Sequence, residues 1–187
     1  MKIFLTLFVL FFSSLVVADD ISDFEIEGMS IGDSLLTYFS ESKIQTNFYP
    51  NSKKFAGTMH LIDTGVYDTV RIHYKMDKKF IIHGIGGLIF YMNNIDSCYE
   101  KENEIINSLE SKFPSAKKYI QGKQKHDADP TGKSIYTLTE FSFENGSITI
   151  QCTDWSKSIT SELGWHDYLG YTINTNEFIN WLSNEAY

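Results

Sequence analysis

Residues 94–113, NIDSCYEKENEIINSLESKF, decide the fold. Ile95, Cys98, Glu102, Ile105 and Leu109 recur at spacings of three and four, and Ile106 and Phe113 widen the same stripe. That period is the one by which an α-helix turns one face inward. Asn94 offers a side-chain oxygen to the first turn, and Pro114 stops the helix because it has no N–H to continue the ladder. Strand-like stretches lie on both sides. The expectation is one long amphipathic helix laid across a sheet.

C-terminal to the helix, residues 135–144 and 147–155 read as two strands joined by Asn145-Gly146, the strongest short hairpin signal. A two-residue turn pairs 144 with 147, 143 with 148, 141 with 150 and 139 with 152. Phe141, Phe143, Ile148, Ile150 and Cys152 then share a face, the one on which the stripe carrying Cys98 would lie. Cys98 and Cys152 are the only cysteines, and their convergence predicts a disulfide worth roughly 3–5 kcal/mol through loop closure. Residues 115–134, between helix and hairpin, are polar and rich in lysine and read as a long loop. Residues 165–173 read as a last strand. Thr175 caps a terminal helix over 176–182, with Phe178, Ile179 and Leu182 inward and Trp181 near an edge.

N-terminal to the helix, Val70, Ile72, Tyr74 and Met76 alternate with Thr69, Arg71, His73 and Lys75, the pattern of a half-buried strand. Residues 80–92 form a more apolar strand, where Gly84, Gly86 and Gly87 mark a bulge or a close backbone approach. Residues 55–62 and 24–26 add strands, with a turn at 63–65. Ser30 or Asp33 caps a short helix whose apolar side is Leu35, Leu36 and Phe39. The sum is an α+β fold, with a single antiparallel sheet of about five or six strands. The central amphipathic helix and the two terminal helices cover one face of it.

Residues 1–18 carry Lys2, an apolar run over 3–12, and Val16-Val17-Ala18 before Asp19. This is the pattern of a signal peptide cut between Ala18 and Asp19. The apolar run is too short to span a bilayer, so no membrane anchor is expected after cleavage. Residues 19–187 then form one α+β domain, periplasmic or secreted, in a compartment oxidising enough for the disulfide. The net charge is −8, and loss of Lys2 makes the mature domain more acidic still. Such a surface repels phosphate backbones, which excludes nucleic acid and anionic membranes as partners. Of the 16 basic residues only Arg71 is an arginine.

Three motifs point to chemistry. Gly32-Asp33-Ser34-Leu35 resembles the signature of GDSL-type (SGNH) esterases, and the resemblance implies Ser34 as nucleophile. A serine needs an adjacent base. That family takes it from an Asp-x-x-His, and none of His60, His73, His83, His126 and His166 has an aspartate three positions before it. The family's Gly-x-Asn-Asp block is also missing. Asp127-x-Asp129-x-Thr131-Gly132 copies the first half of an EF-hand loop and would offer Asp127, Asp129 and Thr131 to Ca²⁺, but Leu138 stands where a bidentate Glu belongs. Gly132-Lys133-Ser134 ends like a P-loop but lacks the earlier glycine and precedes a strand. Phe141, Phe143, Trp155, Trp165 and Trp181 are read as core and edge cover rather than as a ligand cage. No cofactor is called for.

The run from Phe24 to Leu36, FEIEGMSIGDSLL, together with Gly132-Lys133-Ser134, Cys152-Thr153-Asp154-Trp155, Glu177-Phe178, Trp181-Leu182 and Asn184-Glu185-Ala186-Tyr187, resembles a family of small exported proteins from marine bacteria with AT-rich genomes. The resemblance covers essentially the whole mature chain. It implies a shared architecture and brings no activity, ligand or catalytic residue. The Gly-x-Ser turn before a short helix and a sheet is also similar to periplasmic α+β modules of the outer-membrane assembly-factor and β-lactamase-inhibitor type. The expected function is a non-catalytic binding or protein-interaction module for a protein or small ligand of the cell envelope. The alternatives are a serine esterase using Ser34 and a Ca²⁺-binding exported domain. A histidine within reach of Ser34 separates the esterase from the module, and a Ca²⁺-dependent melting temperature separates the third reading.

Overall fold

The computed structural model describes residues 20–44, 48–49, 51–61, 65–92 and 94–186. The expected cleavage site at Ala18 and Asp19 lies outside these residues, as do Ile62 and most of the turn after it.

Asp20 caps a 3-10 turn, Ile21–Asp23, which leads into a small ribbon of β1 (Glu25–Ile26) and β2 (Met29–Ser30). Glu27 and Gly28 make its turn with φ of 51° and 75°, a left-handed pair that glycine enters at no steric cost. Ser30, expected at a helix start, is therefore in a strand. Its N–H donates to Asp33 Oδ2 at 2.9 Å, and only 3-10 turns follow, Leu35–Thr37 and Glu41–Lys43. The remaining elements are β3 (Phe55–Leu61), β4 (Thr69–Lys75), β5 (Ile82–Phe90), α1 (Ile95–Lys112), β6 (Lys117–Lys125), β7 (Ile135–Ser142), β8 (Gly146–Asp154), α2 (Lys157–Leu163), β9 (Tyr168–Thr175) and α3 (Asn176–Asn184).

Strands β3 to β9 form one antiparallel sheet of seven strands in the order β3-β4-β5-β9-β8-β7-β6. The sheet is larger than expected because β6 occupies much of what the sequence presents as a loop at 115–134. The physical reason is its position. β6 is an edge strand with both faces largely open, so nothing selects alternation along KKYIQGKQK, and Tyr119 and Ile120 stay 62% and 59% exposed. Its lysines and the register shift between Gln121 and Gln124 keep the free edge from pairing further. Only residues 126–134 remain as the loop.

Helix α1 begins and ends as the spacing predicts. Asn94 accepts a hydrogen bond from the Ser97 N–H, and the Phe113 N–H closes the last turn on Leu109 O at 2.8 Å. Cys98, Leu109 and Phe113 are buried beneath it, and so is Glu102, 5% exposed. The Thr137 hydroxyl donates to the Glu102 carboxylate at 2.8 Å, and burial still pushes that carboxyl up from its ordinary value.

Cys98 and Cys152 are bonded, as the shared face requires, at a sequence separation of 54. The turn that leads there differs from expectation. Ser142 pairs with Ser147 and Phe141 with Ile148, so the register is shifted by two residues, and Asn145-Gly146 is not a two-residue turn. Phe143 N–H donates to Gly146 O at 2.8 Å, while Asn145 Nδ2 donates to Asp20 and Asn145 O accepts from the Asn176 N–H. A shift of two preserves side-chain parity, so Phe141, Ile148, Ile150 and Cys152 keep their common face.

The two faces are covered unequally. On one, α1 and the N-terminal segment bury Ile72, Ile85, Ile150, Leu169 and Ile173 in the main core. On the other, α3 packs Phe178 and Trp181 against Tyr49 and Phe55 in a separate cluster. The expectation that all helices share one face is thus corrected. The reason is that β4 and β5 are not half-buried: Thr69 and His73 are buried on the second face while Val70 and Ile72 are buried on the first. Phe178 stacks on His73 at 4.7 Å, directly over Gly84, where any Cβ would collide with Asn174. Trp181, expected at an edge, is buried.

Replacing both Cys98 and Cys152 by Ala is expected to lower unfolding free energy by about 4 kcal/mol, since a loop of this length is released in the unfolded chain. Urea unfolding of the oxidised protein and the double variant measures the difference. A loss below about 1 kcal/mol would show that α1 is held by packing alone.

Candidate functional site

Beyond the reach of α3, the second face of the sheet is open. Two rows of paired residues cross it, Met59–Arg71–Gly86–Thr172 and Thr69–Leu88–Gly170. Glycine at 86 and 170 removes two side chains from the middle of these rows, so the floor is low there. A Cβ at 86 would stand 3.0 Å from Thr172 Oγ1. Over the ends of these rows lies a cleft of about 380 Å³, with Met59, Thr69, Arg71, Leu88, Phe90 and Tyr168 on its sheet side, within the usual size for a small-molecule site.

Its end wall is built by elements that the sequence reading missed. Ser156 caps α2 through its hydroxyl, and Gly164 ends it in the left-handed conformation at φ 68°. This cap-to-cap unit carries Trp165 and His166 across the end of β5. Asp167 then accepts a hydrogen bond from the Trp155 N–H at 2.7 Å, and its own carbonyl accepts from the Tyr91 N–H. Trp155 and Trp165 meet edge to face at 4.7 Å. Burial raises the Asp167 carboxyl while the Trp155 N–H and the nearby His166 pull it down.

The loop at 126–134 extends this wall. His126 packs on Trp155 at 4.3 Å. Asp129 holds the loop shut: it accepts from the N–H and hydroxyl of Thr131 and from the N–H and hydroxyl of Ser134, at 2.7–2.9 Å. The Ser134 oxygen in turn accepts from the Ser156 N–H at 2.9 Å, which joins this loop to α2. Donation by Ser134 and Thr131 holds the Asp129 carboxyl well below its ordinary value. The half-EF-hand motif is therefore a closed turn. Asp129 faces inward, fully used by these donors, and Asp127 is exposed.

Ser34 lies elsewhere, at the opposite end of β5 from the cleft. Its hydroxyl donates to Lys79 O at 2.6 Å, and its backbone bridges Ile81. Among the described residues no histidine is hydrogen-bonded to it. In Gly32-Asp33-Ser34-Leu35 the serine anchors the N-terminal segment to the β4–β5 connection, and Leu35 fills the core.

Chemically, the cleft offers aromatic faces, two imidazoles and one permanent charge. Burial lowers His126, which leaves it neutral near pH 7. Among the described residues no carboxylate lines the cleft, and Arg71 stands at its side. A larger hollow of about 430 Å³ beside Ser115 and Ser142 is mostly polar, with only Ala116 and Phe143 as apolar lining. Trp155, buried, and Trp165, 41% exposed, serve as core and edge cover and at the same time form the wall of the cleft. The available signal was the unassigned Ser156…Gly164 cap pair. Comparison with family models, with curated proteins and with solved structures gives no match.

Asp129→Asn is expected to lower the melting temperature at pH 7. A depressed carboxyl stabilises fully above its unfolded value, about 3.9, and that contribution is lost as pH falls through the lower folded value. The gap between wild type and variant therefore holds down to about pH 4 and closes below it. Melting curves from pH 7 to pH 2 check this, and a gap that stays constant to pH 2 would contradict it.

Proposed function

We propose that the chain is an exported, non-catalytic binding module that holds a small ligand in the aromatic cleft between α2, the loop at 126–134 and the open half of the sheet. The observation that carries this reading is the cleft itself: a low floor, and rigid walls in which Trp155, Trp165 and His126 are fixed by a capped helix and a closed turn. Pre-formed apolar sites with few polar groups are the usual form of small-molecule pockets. Fixed walls also spare the ligand the cost of ordering them.

Export is supported by the Cys98–Cys152 bond, which persists in oxidising compartments. Among the described residues no helix is long and apolar enough to cross a membrane. The hydrolase alternative loses support from the Ser34 hydroxyl, whose proton is directed to a carbonyl rather than to a base. The Ca²⁺ alternative loses support from Asp129, whose oxygens already accept from four donors.

A neutral aromatic probe, 2-(2-naphthyl)ethanol, is expected to bind saturably in calorimetry. Trp165→Ala should weaken it about tenfold, the loss of one good ring contact, while Ser34→Ala leaves it unchanged. Absence of saturable binding both for this alcohol and for its carboxylate counterpart, 2-naphthylacetate, or binding indifferent to Trp165→Ala, would overturn the proposal. So would ester hydrolysis that Ser34→Ala abolishes.

A further inference from the structure

Four lysines in the structure are matched with acids: Lys54 with Glu185, Lys75 with Glu177, Lys101 with Glu104 and Lys118 with Glu110. Arg71 is not. In a chain with 24 acidic residues and 16 basic ones, its single guanidinium makes no ion pair or hydrogen bond among the described residues. It lies over the ring of Phe48, at 6.0 Å. The β4 register sets Arg71 on the face that bears the cleft, level with Gly86 and Thr172.

Beside it the floor drops into a notch of about 50 Å³ lined by Arg71, His73, Gly86, Leu88 and Thr172. A water molecule's share of liquid is about 30 Å³, so the notch takes a group the size of one carboxylate and no ring. The missing side chain at Gly86 is what opens it. Thr172 brings a hydroxyl to the same place. His73, buried and lowered to about 3, is neutral and adds no charge of its own.

The surroundings favour a charged head at this point. Among the described residues the larger cleft has no acidic side chain in its lining to repel one. A planar guanidinium meets a carboxylate through two parallel hydrogen bonds, which an ammonium does not reproduce. The aromatic walls are set to receive an apolar body alongside.

We infer that the cleft selects a small amphipathic carboxylate, with its aryl or alkyl body against Trp155 and Trp165 and its carboxylate in the notch against Arg71. This rests on the reading of the cleft as a ligand site and adds the class of ligand. Arg71 is the specificity-determining residue and the aromatic walls supply the common affinity.

The test uses the mature protein and two probes that differ in the head group, 2-naphthylacetate and 2-(2-naphthyl)ethanol, with Arg71→Gln and Arg71→Lys. Arg71 is exposed on the sheet face, so both variants are expected to keep the wild-type melting temperature. The wild type should bind the acid at least about tenfold more tightly than the alcohol, the scale of one charge-assisted contact. Arg71→Gln should remove that preference by weakening the acid at least about tenfold more than the alcohol, and Arg71→Lys should restore only part of it. Equal affinity for both probes in the wild type, or a preference that survives Arg71→Gln, would overturn the inference while leaving the cleft as the site. Failure of both probes to bind would overturn the inference and the proposed function together.

Discussion

Cys98 on α1 is bonded to Cys152 on β8, and that bond decides which face of the sheet is closed. The helix is held over the centre of the first face, where Ile150, Leu169 and Ile173 pack beneath it and the N-terminal segment fills the remainder. Glu102, one turn further along α1, is buried next to the bond and takes the Thr137 hydroxyl, whose oxygen accepts from the Cys152 N–H at 3.3 Å. Helix, β7 and β8 are thus tied at one place by a covalent link and a short polar chain. With one face committed to α1, the cleft walled by aromatic rings lies on the other.

That other face is too wide for its cover. Seven strands span about 29 Å from the first to the last, whereas a nine-residue helix is about 13 Å long and about 10 Å across. Helix α3 closes one end, where it meets His73, Phe55 and Gly84. The open half would be a flat sheet surface if its strands carried side chains throughout. Gly86 and Gly170 lower it, and α2 and the loop at 126–134 raise walls at its edge. The cleft is the consequence of an incomplete second layer, and its polarity follows from what was left there: aromatic rings, neutral imidazole and one guanidinium that has no ion pair among the described residues.

Much of the fold was legible because it rests on periodicity. The bounds of α1, the cap at Thr175 and the face shared by Cys98 and Cys152 all follow from apolar spacing and from parity. Parity also explains why the disulfide expectation survived a wrong turn: moving the β7–β8 register by two residues leaves every side chain on its original face. The misses fall where periodicity has nothing to record. β6 is an edge strand open on both faces, so its sequence alternates only weakly. α2 is a seven-residue helix with one buried residue, Ile159, and only its caps betray it. The walls of the cleft hang on those weakly marked segments, and for that reason Trp155, Trp165 and Arg71 could not be grouped from sequence. The motifs that did stand out, at Ser34 and at Asp127 to Thr131, turned out to be turn chemistry that fastens the chain to itself.

The proposed ligand lies in the open half of the face away from α1. Amide and indole shifts in a ¹⁵N-labelled sample, recorded as 2-naphthylacetate is added to saturation, locate it directly. The largest changes are expected at Leu88, Gly170, Arg71 and the Trp165 indole, with Cys98 and Leu109 on α1 unmoved. Largest changes along α1, on β6 or around Ser34 would contradict it.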